Sequence, residues 1–218
     1  METEGLIKSR IKSTKGVFMK RNRSYDPDDI DVLIENYTDP CLYQYYDSLL
    51  RHRTIIFNSE VGNDIVETVI IPLMNFEKDD NTDPVTLILN TPGGSIDDGL
   101  VLLNVIDNYK KPLNIIVMGY ACSMGSIILC AGSKNPNVKR FCHKFSYGLI
   151  HAGSVFLGGN TSTVKDTVKF NERVEGTIKD YILENTKITE DEYRESERKE
   201  WYLTANDMLE KGMVDEIL

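Results

Sequence analysis

The sequence predicts an α/β fold whose strands run mainly parallel. Two buried-strand runs carry that expectation, Val85–Asn90 and Leu113–Met118, each rich in apolar and β-branched residues. Each passes through a turn of small residues into a stretch with helical spacing. Parallel neighbours cannot be joined by a hairpin, so strands that alternate with helices are the signature of a parallel sheet. With 218 residues the chain is long enough for one sizeable core.

The elements follow in order. Residues 41–51 are expected to be helical, and Thr54–Phe57 is a short β-branched strand. Val61, Ile65, Val66, Val69, Ile70 and Leu73 recur at helical spacing and form one apolar face. After Val85–Asn90, Thr91-Pro92-Gly93-Gly94 reads as a turn, and residues 95–109 as a helix carrying Ile96, Leu100, Leu103 and Ile106. Leu113–Met118 leads through a second tight turn into an apolar helix at about 123–132. Short strands are expected near 138–142 and 146–150. An amphipathic helix spans about 162–185, a further helix about 204–211, and Met213–Leu218 closes the chain.

Composition narrows the function. Hydrophobic content is 41%, charged content 27%, and the formal net charge is −9, which weighs against broad nucleic-acid binding. Apolar runs fall short of a membrane span, and the start of the chain does not read as a secretory leader. Cys41, Cys122, Cys130 and Cys142 lack metal-ligand spacing and read as reduced thiols of a cytoplasmic protein. Residues 1–40 form a separate arm, basic up to Arg23 and acidic from Asp26 to Asp39. Its few apolar residues fit a solvated segment or one ordered by a partner. The folded domain is expected over 41–218.

Three segments carry chemistry. In Gly119-Tyr-Ala-Cys-Ser-Met-Gly125 a strand ends, small residues turn, and an apolar helix begins at Ser123. Free N–H groups at such a helix start can stabilise negative charge, and that of Met124 is the natural donor. Taken alone, the segment favours the plainer role of Ser123 as a helix cap. In Asn90-Thr-Pro-Gly-Gly-Ser95 the glycines let backbone approach a bound group, and the Gly94 N–H is a second candidate donor. In Tyr147-Gly-Leu-Ile-His151 a short apolar strand ends on a histidine. Of the three histidines, His52 lies between Arg51 and Arg53 and His143 beside Lys144, so His151 is best placed to act as a general base.

These blocks, in this order, resemble the proteolytic subunit family of the Clp proteases (ClpP). Ala131-Gly132, Arg140-Phe-Cys142, Tyr202-Leu-Thr-Ala205 and Gly212-Met-Val-Asp-Glu-Ile217 extend the resemblance across about residues 41–218. The resemblance implies a ClpP/crotonase-like spiral of ββα units with a protruding handle helix, here at 162–185. It implies a serine endopeptidase with Ser123 as nucleophile, His151 as base, and the N–H groups of Gly94 and Met124 as oxyanion hole. It further implies stacked heptameric rings that enclose a chamber, unfolded polypeptide substrates, and an AAA+ Clp ATPase as unfolding partner. ATP would belong to that partner, since this chain lacks a Walker A pattern and needs no cofactor of its own.

Departures from the family pattern concern the third catalytic member. Where the family has Asp, this chain has Glu200, in Arg198-Lys-Glu-Trp-Tyr202. A Glu can also orient an imidazole, although its extra methylene requires the backbone to sit slightly farther away. Glu197, a turn earlier, is the alternative. Arg198 and Lys199 replace an Asp-Arg pair that helps join the family's rings, and Ala152-Gly153 replaces a Gln-Pro after the histidine. Two other readings stay open at this point: a non-catalytic ring subunit, and a crotonase-type acyl-CoA enzyme. Cys122 is a rival nucleophile beside Ser123, because a thiolate is intrinsically more reactive.

Overall fold

A computed structural model of the chain describes residues 40–154 and 157–218. The basic-then-acidic segment read as an arm lies outside the described residues, except for position 40.

Helix α1 (Pro40–Arg51) leads into β1 (Thr54–Phe57). A π turn (Val66–Ile70) then opens α2 (Ile71–Lys78). Here the structure departs from the helical spacing read from Val61 onward. Val61 sits in a parallel bridge with Gly94, outside any helix, and the helical path runs on past Leu73 to Lys78. Strand β2 (Val85–Thr91) and helix α3 (Ile96–Asp107) follow, with Ser95 capping α3 through its side chain.

Strand β3 (Leu113–Cys122) is longer than expected because it has two successive partners. Its first half pairs with β2 and β4 (Val138–Cys142), and its last residues pair with β5 (Tyr147–Ile150). Between Leu89 and Thr91 the β2–β3 register shifts. Asn90 fills the gap: its Oδ1 accepts from the Tyr120 N–H at 3.1 Å, where Gly119 leaves room for it. Helix α4 (Met124–Cys130) follows β3 directly.

The long helix α5 (Thr161–Asn185) has 25 residues, a length of roughly 37 Å at the usual rise. Its buried residues are Ile178 and Ile182, both in its second half, so the first half stands clear of the core as a protruding handle. Helix α6 (Glu190–Ser196), held by a Thr189–Glu192 capping box, and strand β6 (Trp201–Thr204) were not apparent in the sequence pattern. Helix α7 (Ala205–Glu210) and β7 (Glu216–Ile217) complete the domain.

The sheet runs β1-β2-β3-β4-β7, all parallel, with β5 off the end of β3 and β6 antiparallel to β5. A mostly parallel sheet with helices packed on it is the predicted class. Alternate residues of β2 are fully buried, as are Leu113, Ile115 and Val117 of β3. The C-terminal strand is pinned electrostatically. Buried Arg140 donates to Asp215 through Nη2 at 2.6 Å and Nε at 3.3 Å, and its backbone N–H reaches the same carboxylate at 2.8 Å. Two of the sequence blocks, at 140–142 and 212–217, therefore meet in one ion pair. Cys122, Cys130 and Cys142 are free, buried thiols. Among the described residues no helix is long and apolar enough to cross a membrane.

Candidate active site

Two strand-turn-helix units meet back to back at the ends of β2 and β3. The contact is close enough to require glycine. A Cβ on Gly93 would lie 2.4 Å from the Cys122 carbonyl and 2.7 Å from Ser123 Cβ, and one on Gly125 would lie 2.5 Å from Thr91 Cγ2. Thr91, fully buried, shapes the first turn: its Oγ1 donates to the Ser59 carbonyl at 2.6 Å and accepts from the Gly93 N–H at 3.1 Å.

Ser123 forms the second turn by itself. Its φ of 53° and ψ of −123° are backbone angles that favour glycine, and apart from Arg53 it is the only non-glycine residue at positive φ among the described residues. Holding a serine there costs on the order of 1–3 kcal/mol. The capping role does not hold, because the Ser123 hydroxyl makes no cap bond to α4. Its backbone N–H donates to the Leu149 carbonyl at 2.7 Å, which ties the turn to β5.

Ser126 strengthens that tie, and sequence reading missed it. Its buried Oγ lies 2.6 Å from the Ala121 carbonyl and 2.9 Å from the Leu149 carbonyl, and it accepts from the Leu149 N–H at 3.1 Å. One hydroxyl thus joins the strand before Ser123 to the strand that leads to His151. A serine in an apolar helix does not advertise such a role, because its partners are distant in sequence. Ser126→Ala is expected to strand buried partners and destabilise the domain by about 1–3 kcal/mol, read by urea unfolding. A change under about 0.5 kcal/mol would deny Ser126 this role.

His151 is exposed, just beyond β5. With Ser123 it borders two adjoining hollows, which also share Ile96, Gly153 and Glu175. The inner one is a narrow, largely apolar slot; the outer is an open groove that reaches Gly94. Among the described residues no hydrogen bond joins Ser123 to His151. His52 and His143 border neither hollow; the ring of His52 instead meets the Ser48 carbonyl at 2.6 Å.

Of the two candidate oxyanion donors, Met124 follows Ser123 directly and Gly94 borders the outer groove with it. The Val61–Gly94 bridge uses the Gly93 carbonyl and the Ser95 N–H, and leaves the Gly94 N–H outside it. Met124 opens α4, so its N–H is one a helix cannot satisfy internally. The Met124 side chain is buried against Gly99.

Glu200 stands apart from the hollows. The β5–β6 pairing ends at Ile150 and Trp201, the residues next to His151 and Glu200 in the chain. The exposed carboxylate accepts from the Tyr202 hydroxyl at 2.8 Å, and this bond pushes the Tyr202 pKa up. Glu197 caps the end of α6 and is also exposed. Burial pushes the Cys122 thiol pKa up, which disfavours the thiolate that a cysteine nucleophile needs.

A hydroxyl on a strained strand-to-helix turn, beside an imidazole and two unpaired N–H groups, defines a serine hydrolase of α/β type. Comparison with known proteins narrows this class. The sequence model of the Clp protease family matches residues 38–218. The ATP-dependent Clp protease proteolytic subunit of Streptococcus sanguinis (strain SK36) is 32% identical over 179 residues, covering 81% of this chain and 89% of the relative. The protein of the same name from Streptococcus pneumoniae (strain P1031) is 31% identical over the same shares. The chain belongs to the Clp protease family and is an endopeptidase of the serine type.

Proposed function

We propose that this peptidase uses Ser123 as nucleophile and His151 as general base. The observation that carries the assignment is the strained Ser123, its hydroxyl free of any cap bond, in a hollow shared with His151. Ser123 Oγ attacks the peptide carbonyl carbon while His151 takes the hydroxyl proton. The oxygen of the tetrahedral intermediate is stabilised by the N–H groups of Gly94 and Met124. His151 then protonates the leaving amine as the C–N bond breaks. Water, deprotonated by His151, releases the acyl group and restores Ser123. Glu200 orients the imidazole and stabilises its cation during these transfers.

Chamber assembly and outside unfolding complete the reading. Phe145, Tyr45, Phe170, Tyr202, Met118 and Leu218 are each more than half exposed, apolar side chains that association could cover. Stacked heptameric rings would confine the sites, so that unfolded polypeptides are cut and folded proteins depend on an AAA+ Clp ATPase. The names of the relatives, which include ATP dependence, support such a partner. The chain itself needs no cofactor, and its free thiols suit the cytoplasm.

The test is a fluorophosphonate probe followed by peptide mapping. Label on Ser123 of the assembled protein is the expected result; label on Cys122, or none, would overturn the assignment. The bond from Tyr202 to Glu200 favours one second reading, a ring subunit whose carboxylate is held away from catalysis. Unlabelled but fully assembled rings would be its signature.

A further inference from the structure

The Gly94 N–H, one of the two proposed oxyanion donors, belongs to the peptide unit that carries the Gly93 carbonyl. A trans peptide is planar, with its C=O and N–H pointing opposite ways. The Gly93 carbonyl accepts from the Val61 N–H at 2.8 Å, so the Gly94 N–H is aimed away from Val61. Gly94 itself packs against Val61: a Cβ there would stand 2.3 Å from the Val61 carbonyl oxygen. The aim of this donor therefore depends on where the segment before Val61 rests.

Residues 58–60 form neither helix nor strand, and all three are exposed. They are held in place by the end of β2 and the turn after it. Asn90 Nδ2 donates to Asn58 Oδ1, a bond open to solvent. Thr91 supplies the buried link. Its Oγ1 donates to the Ser59 carbonyl at 2.6 Å and accepts from the Gly93 N–H at 3.1 Å, and no part of the residue reaches solvent. Gly93 is thus pinned on both sides, its N–H by Thr91 and its carbonyl by Val61. The Thr91 methyl backs onto Gly125, the residue after Met124, which carries the other proposed donor.

We infer that Thr91 is a positioning residue for peptide cleavage: its buried hydroxyl fixes the Gly93–Gly94 peptide plane and with it the aim of the Gly94 N–H at the oxyanion. The inference rests on the proposed roles of Ser123, His151 and Gly94 and adds a residue that they do not include. A donor aimed at an oxygen that becomes charged only as bonds change acts on kcat more than on KM.

The experiment uses the assembled full-length protein, a fluorogenic peptide, and a peptide boronic acid, which forms a tetrahedral adduct with a reactive serine. Activity is taken per Ser123 labelled to completion by the fluorophosphonate, so unfolded protein does not count. Thr91→Val puts a methyl in place of the hydroxyl and is expected to lower kcat about 10- to 100-fold, with KM within about twofold of wild type. Affinity for the boronic acid should fall along with kcat. Thr91→Ser keeps the hydroxyl and should stay within about threefold of wild-type kcat. If T91V does not assemble, Thr91→Cys carries the test: its thiol is a weak donor and acceptor, and kcat should fall about tenfold. Wild-type kcat in T91V or T91C overturns the inference, as does an equal loss in T91S and T91V, which would make packing rather than the hydroxyl responsible. A loss confined to KM, with boronic acid affinity unchanged, overturns it too. Wild-type protein that the fluorophosphonate leaves unlabelled overturns the catalytic assignment as well, so the two failures are distinguishable.

Discussion

Ser123→Ala is expected to lower kcat by roughly 10³–10⁶ and to abolish fluorophosphonate labelling. The loss is large because the bond-forming atom is removed, while substrate binding and the two oxyanion N–H groups remain. Any residual turnover would come from those groups. A companion substitution separates catalysis from folding. At φ 53° and ψ −123° a glycine relaxes the turn, so Ser123→Gly should be equally inactive yet more stable than wild type by about 1 kcal/mol. Thermal unfolding of both variants, with the peptide assay alongside, gives the answer. An S123A protein that keeps wild-type turnover would exclude Ser123 as nucleophile. A destabilised S123G would show that the turn is not under strain.

Glu200→Gln is expected to lower kcat by roughly 10²–10⁴ with little change in stability. The Gln keeps an oxygen that can accept from Tyr202, and the site is exposed, so the fold does not depend on the charge. What would be lost is the negative charge that, in the proposed mechanism, holds the imidazole in the productive tautomer and steadies its cation. Expected KM is close to wild type, because Glu200 borders neither hollow. Near-wild-type kcat would remove Glu200 from the mechanism and make Glu197 the next residue to test.

Much of the fold was legible because it is locally encoded. The runs at 85–90 and 113–118 are largely apolar on their own account, and the helical spacing of Ile96, Leu103 and Ile106 needs no distant partner to be recognised. The failures are non-local. Val61 matches a helical face by spacing, yet its backbone bridges to Gly94, more than thirty residues away. Strand β6 is four residues long, with one of them buried, and exists because β5 offers it an edge. The end of β3 was read as a turn, since Gly119 and Ala121 are small; pairing with β5 keeps it extended to Cys122.

The site divides in the same way. Read alone, the residues specify which groups are available: Ser123 after a strand, glycines at 93 and 94 before a helix, and a histidine at the end of an apolar run. These are consequences of short-range sterics and helix termini, which a few neighbouring residues set. Tertiary packing decided the rest. It placed Ser123 at positive φ against Gly93 and fastened its turn to β5 through Leu149 and Ser126. It also paired β6 with β5 next to His151 while giving the Glu200 carboxylate to Tyr202. Strand pairing and side-chain competition act between residues far apart in the chain, so they are decided only when the whole domain packs.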